Sequence, residues 1–209
     1  MITQLKSAIY SLKSNGGSWF ESNEFGRICL NAGFELTVRD RLLENLHLEF
    51  QKINPNYSIV SEYSKHGEGC HKRADMALLE GSLCGKEITC EGIFEIKTNF
   101  STQFNSDIKS RLAADWSKWN NWVNKKPSNK LCIMYIIVDI TPDEPTECYF
   151  AKYTRVNKID FQEIENHFVD FARNKKGTYS RLEKDFQAYC LYPGCEKFNI
   201  STSFLFMER

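Results

Sequence analysis

Arg73-Ala74-Asp75-Met76-Ala77-Leu78-Leu79 and, a little further on, Glu91-Gly92-Ile93-Phe94-Glu95-Ile96-Lys97 decide how the rest of this chain is read. Both are short, apolar in alternation or in runs, and bounded by polar turns, which predicts β-strands. Asp75 stands in the middle of the first, where desolvation disfavours a charge that has no partner. In the second, Glu95 and Lys97 are separated by one residue, so on a strand they share a face, while Phe94 and Ile96 point the other way into a core. Lys97 ends the apolar part and Thr98-Asn99 follow, so a carboxylate and an ammonium are expected side by side at a strand tip.

Working outward, Tyr57 to Tyr63 has the same period of two and predicts a strand before these. Upstream, Glu35 to Lys52 is helical, with Val38, Leu42, Leu46, Phe50 and Ile53 on one face and Leu43 beside them, and Asn54-Pro55-Asn56 stops it. Residues 1–17 predict a short amphipathic helix carrying Leu5, Ile9 and Leu12, and 18–34 a mixed segment broken at Gly26 and Gly33. Downstream, residues 101–124 predict a helix with Ile108, Leu112, Trp116, Trp119 and Val123 on one face. Leu131 to Ile140 is a continuous apolar run, as expected of a strand covered on both faces. Cys148 to Tyr153 reads as another strand, and the last fifty residues as helical around Phe161, Ile164, Phe168 and Phe171, then irregular and aromatic. The expected fold is α/β (α+β mixed): helix, three-strand meander, helix, strand, with a mixed sheet flanked by helices. One domain is expected over 1–209, with an N-terminal helical appendage (1–34), a core (35–155) and a C-terminal helical and aromatic extension (156–209).

The chain has 209 residues, 42% apolar and 26% charged, with 27 basic against 27 acidic side chains. That suits one folded domain and excludes a mainly disordered chain or a uniformly basic one. A local basic patch can still attract phosphate, and Lys65-His66, His71-Lys72-Arg73, Lys125-Lys126 and Arg173-Asn174-Lys175-Lys176 are small basic clusters. No apolar run reaches the roughly 18–20 residues of a membrane helix, and no secretory leader is apparent, so a cytoplasmic location and no membrane partner are expected.

Carboxylates on two adjacent strands, Asp75 and Glu95, make an oxygen-rich site suited to a hard cation such as Mg²⁺, which takes one or two carboxylates plus waters and phosphate oxygens. A lysine beside the ion, Lys97, can hold a phosphate and orient or help deprotonate a water. Those groups suit phosphodiester hydrolysis. The competing readings are an edge-strand ion pair for Glu95 and Lys97 and a hydrogen-bonded core group for Asp75.

Asp75 with Glu95-Ile96-Lys97, in this order of elements, resembles the PD-(D/E)xK nuclease superfamily with its restriction-endonuclease-like core, over about residues 35–140. Ala74 stands where that family often has proline. The resemblance implies that Asp75, Glu95 and the Ile96 backbone carbonyl bind Mg²⁺ (Mn²⁺ substituting) and that Lys97 assists the water. It implies double-stranded DNA as partner and substrate, 5′-phosphate and 3′-hydroxyl products, and a restriction-type endonuclease of a kind that usually works as a homodimer; a repair, recombination or phage nuclease is also compatible. A first-helix glutamate facing the metal is a family feature. Glu35, Glu44 and Glu49 are candidates, Glu35 fitting best, although an acid at a helix start is favourable in its own right. Asp115-Trp116-Ser117-Lys118 looks similar to the polar residues that related nucleases carry on the next helix, and Glu62 is a further acid at the end of the first strand.

Trp116 and Trp119 are expected in the core, while Trp122 and Tyr153 are open between core and base stacking. The eight cysteines show no zinc spacing. Reduced thiols are the expected state, with Cys132 buried; the rival is a zinc-stabilised domain using Cys190 and Cys195 with Cys84, Cys90 or Cys70-His71. A non-catalytic nucleic-acid-binding or protein-interaction module on the same fold is the other alternative.

Overall fold

The computed structural model describes residues 1–14, 17–29, 34–64, 73–81, 88–100, 107–142, 161–191 and 197–209. Among them, five α-helices lie against a seven-stranded mixed sheet and a small two-stranded ribbon, β1 (Lys13–Ser14) with β2 (Gly17–Ser18). The helices are α1 (Ile2–Ser11), α2 (Asn23–Cys29), α3 (Phe34–Gln51), α4 (Asp107–Lys125) and α5 (Phe161–Asn174).

The three strands expected from period and apolar content form an antiparallel meander: β3 (Tyr57–Ser64), β4 (Arg73–Glu80) and β5 (Thr89–Phe100). α4 then crosses over, and β6 (Lys130–Pro142) returns parallel to β5, with Lys97 level with Tyr135. Leu131 through Val138 are all buried, so β6 is covered on both faces as its unbroken apolar run requires. One face of the sheet packs on α1, α2 and α3 through Met76, Phe94, Ile96, Met134 and Phe206. The other packs on α4 and α5 through Ile93, Ile133, Tyr135, Leu205 and Met207.

Four expectations are corrected. The C-terminal stretch is not irregular: β7 (Thr178–Arg181), β8 (Phe186–Leu191) and β9 (Lys197–Glu208) extend the sheet to the order β3-β4-β5-β6-β9-β7, and β8 shares the outer edge of β9 with β7. β9 pairs with β6 from Cys132–Glu208 to Pro142–Phe198, so the C-terminal region is interior to the fold rather than an extension of it. The N-terminal segment is likewise part of the core, with Leu5, Ile9, Trp19, Phe20 and Phe25 buried against α3 and β9. Gly26 lies within α2, which starts where the Ser22 hydroxyl accepts the Phe25 N–H at 3.1 Å, an N-cap that offsets about the cost of one helical glycine. Finally, Ile53 is exposed because α3 ends at Gln51, while Val38, Leu42, Leu46 and Phe50 are buried as expected. The expected strand from Cys148 to Tyr153 and the side chain of Ile108 lie outside the described residues.

Candidate active site

β4 and β5 pair from Glu80–Thr89 to Met76–Phe94 and then part. β5 continues to Phe100 on the strength of its other neighbour, β6. Its edge facing β4 therefore has backbone groups beyond Phe94 that need partners. Two acids supply them. The Ile96 N–H donates to Asp75 Oδ2 at 2.7 Å, and the Thr98 N–H donates to Glu35 Oε1 at 2.7 Å. Glu35 comes from the first turn of α3, so helix, β4 and β5 are tied together at the mouth of this notch. A strand residue presents its N–H and C=O to the same side, so the Ile96 carbonyl faces the notch as well.

Lys97 Nζ lies at the centre, 3.7 Å from Asp75 Oδ2, 3.8 Å from Glu95 Oε2 and 3.8 Å from Asp115 Oδ2. All three distances exceed a direct hydrogen bond, so no one carboxylate captures the ammonium. Burial by itself would push Lys97 down, but the charges of Asp75, Asp115, Glu95 and Glu35 outweigh it and hold the ammonium above its ordinary value. Without a metal in the site, Lys97 is thus held as a positive charge.

Glu95 is 1% exposed and fixed by α4. Its Oε1 accepts from Lys118 Nζ at 2.7 Å and from Trp119 Nε1 at 2.5 Å, while its Oε2 is buried with no hydrogen-bond partner. Lys118 also donates to the Arg73 carbonyl at the start of β4. Burial, with the Asp75 charge adding to it, pushes the Glu95 carboxyl up to about 7 against the pull of Lys118 and Trp119. Asp115 is also raised, by burial first and by Asp75 and Glu35, with Lys97 and Lys118 opposing; its Oδ2 too lacks a hydrogen-bond partner.

All the principal sequence candidates therefore meet: Asp75, Glu95, Lys97 and Glu35, with the Ile96 carbonyl on the same edge. Asp115 and Lys118 of α4 join them. Trp119, expected as core, is core and also a ligand of Glu95. A buried indole N–H needs an acceptor, and Trp119 lies one helical turn beyond Asp115, which is the signal that finds it. Three acids fall elsewhere. Glu62 is bound by Arg39 at 3.1 Å and Arg73 at 2.9 Å and has a left-handed backbone (φ 52°) where the β3–β4 ladder skips it. Glu49 pairs with Lys52, and Glu44 is exposed. Trp122 is buried, as are Trp116 and Trp119, and Tyr153 lies outside the described residues. So do Cys70, His71, Cys84, Cys195 and the side chain of Cys190, while Cys132 is wholly buried with its thiol pushed up by burial.

Four carboxyl groups here face two ammonium groups, and two of the buried carboxylate oxygens lack donors. That donor set fits a hard divalent cation. Among the described residues no three of His, Cys, Asp and Glu close around one point as a metal cage. An ion here would be held by the Asp75 and Glu95 carboxylates and the Ile96 carbonyl, with water and substrate oxygens completing its shell, which is the habit of Mg²⁺ rather than of structural zinc.

Comparison with known proteins finds no matching family model, no matching curated protein and no matching solved structure. No helix among the described residues is long and apolar enough to cross a membrane.

Proposed function

We propose that this protein is a metal-dependent deoxyribonuclease with a restriction-endonuclease-like core, cutting double-stranded DNA to leave 5′-phosphate ends. The observation that carries the reading is the convergence of Asp75, Glu95 and Lys97, within 3.7 to 3.8 Å of the Lys97 amine, in a notch at the ends of two strands. The order α3, β3-β4-β5 meander, α4, and β6 parallel to β5 supports it.

Mg²⁺ held by Asp75, Glu95 and the Ile96 carbonyl would supply charge neutralisation at the phosphate and acidity to a water. The chain's own residues do the rest. Lys97, kept charged by its acidic neighbours, donates to a phosphate oxygen and orients the attacking water, and its charge grows in value as negative charge builds in the transition state. Lys118 and Trp119 hold one oxygen of Glu95 so that the other faces the reaction centre. Glu35 and Asp75 pin the β5 backbone, which fixes where Lys97 starts. Two copies acting together would cut both strands.

Plasmid cleavage in Mg²⁺ or Mn²⁺ tests this. Asp75→Ala and Lys97→Met are each expected to lower cleavage by about a hundredfold or more while circular dichroism shows an intact fold. Undiminished cleavage by either variant refutes the assignment. DNA binding in EDTA with no cleavage by the wild type in either metal would instead support a non-catalytic nucleic-acid-binding module.

A further inference from the structure

Residues 116–130 carry four lysines, Lys118, Lys125, Lys126 and Lys130, and no aspartate or glutamate, in a chain whose charges balance overall. Lys118 is in the catalytic notch. The others lead away from it along the exposed side of α4, past Asn121 and Asn124, to a cleft of about 480 Å³ at the far end of the sheet. Lys126, Asn129, Lys130, Lys176, Thr178 and Arg209 line this cleft. Among the described residues none of its four cations is in ion-pair contact with a carboxylate. Glu208 also reaches the cleft and interacts electrostatically with Lys130, while its Oε2 is taken by the Met1 amine at 3.0 Å and the Ile2 N–H at 2.8 Å. Lys126, Lys130 and Lys176 are exposed, and Arg209 is braced over the Trp116 ring at 5.4 Å.

The backbone adds a second observation. Lys176 has φ 55°, a left-handed conformation at the end of α5, where the Lys176 N–H donates to the Arg173 carbonyl and the Gly177 N–H to the Ala172 carbonyl. Glycine or asparagine usually takes that position, because the left-handed backbone disfavours a Cβ. The neighbouring glycine is needed at 177, where a Cβ would stand 3.1 Å from the Glu208 carbonyl oxygen. The strained position thus falls to a lysine whose side chain lines the cleft.

We propose that this cleft binds the phosphodiester backbone of a nucleic acid at a point flanking the bond held in the catalytic notch. The inference rests on the nuclease reading for its orientation and deepens it. Lys130 and Tyr135, which is level with Lys97, are five residues apart on β6, roughly 17 Å at about 3.3 Å per residue. Lys118 to Lys125, the last residue of α4, is about 10 Å along the helix. The separation corresponds to roughly three to five base-pair steps at about 3.4 Å each. Four cations against the single Glu208 carboxylate leave the concavity net positive, and a run of phosphates neutralises that excess.

The test measures binding of a short fluorescently labelled DNA duplex to the full chain in EDTA, between about 50 and 200 mM salt. The double variant Lys126→Gln/Lys130→Gln is expected to bind about tenfold or more weakly, and the slope of log affinity against log salt should fall by roughly two, near 0.9 for each phosphate no longer neutralised. Lys176→Gly is expected to bind more weakly while melting no lower than wild type, because glycine suits the left-handed backbone; a merely structural lysine would leave binding unchanged. Wild-type affinity and salt slope in the double variant overturn the proposal, as does a wild type that binds no duplex, or competition by polyglutamate as effective as by unlabelled DNA. If binding depends on the cleft but Mg²⁺ brings no cleavage, the hydrolytic reading falls and this one stands. Cleavage with affinity indifferent to the cleft is the reverse.

Discussion

Glu95 carries an ionised carboxyl only against resistance, because burial raises it to about 7. An acid whose folded value lies above its ordinary 4.5 contributes stability that is fully present below about 4.5 and is lost as pH rises through about 7. The shift corresponds to a cost on the order of 3 kcal/mol at pH 8 with no cation bound. Glu95→Gln is close in shape and has no charge to bury, so without divalent ions it should melt higher than wild type at pH 8, and the gap should close towards pH 5. Scanning calorimetry in EDTA checks this; equal melting temperatures at pH 8 would show that the carboxylate is not disfavoured. The residues of this site were legible to different degrees. Asp75, Glu95 and Lys97 stood out because each is a charge in or at the end of an apolar strand. Trp119 did not, since its position on the apolar face of α4 accounts for it fully until the indole N–H is seen to need an acceptor. Nor could spacing alone choose among Glu35, Glu44 and Glu49, because the choice depends on which end of α3 meets the Thr98 N–H.

β9 shows what local pattern leaves undecided at the scale of elements. Phe198, Ile200, Thr202, Phe204 and Phe206 alternate as a strand should, yet Leu205 and Met207 fill the intervening positions and blur the period. Both faces are buried, so alternation fades where β9 enters the middle of the sheet. Its partner β6 lies far upstream in the sequence, and no nearby turn announces that pairing. The meander β3 to β5 and the crossover through α4 were legible because each is a neighbour of the next in the chain. Phe204 probes the central place of β9, being wholly buried with ring centroids 5.0 Å from Phe20 and 5.9 Å from Phe186. Phe204→Ala is expected to cost about 3–5 kcal/mol, from lost burial and the cavity left behind. Urea unfolding should report that loss; a cost below about 1 kcal/mol would mean the strand is peripheral.

For the molecule as a whole, zero net charge hides a separation: carboxylates in excess in the notch, lysines in excess along α4 and around the distal cleft. The two regions suit a cation and a polyanion respectively, and the proposed activity would use both. On the proposed function, Mg²⁺ should stabilise the fold by mass action, about 2.7 kcal/mol when its concentration is a hundredfold above the dissociation constant. At roughly 2–4 °C per kcal/mol for a chain of this size, the melting temperature should rise by about 5–10 °C. If the proposed ion binds here, proton and metal compete for Glu95. With its carboxyl near 7, the ionised fraction falls roughly tenfold between pH 8 and pH 6. Apparent Mg²⁺ affinity, read by titrating the melting temperature, should weaken by about the same factor over that interval. In Asp75→Asn the Mg²⁺-dependent rise should largely vanish at both pH values, because one of two charged ligands is gone. A rise of the same size in that variant would place the binding elsewhere on the surface, and a pH-independent affinity in the wild type would remove Glu95 from the coordination shell.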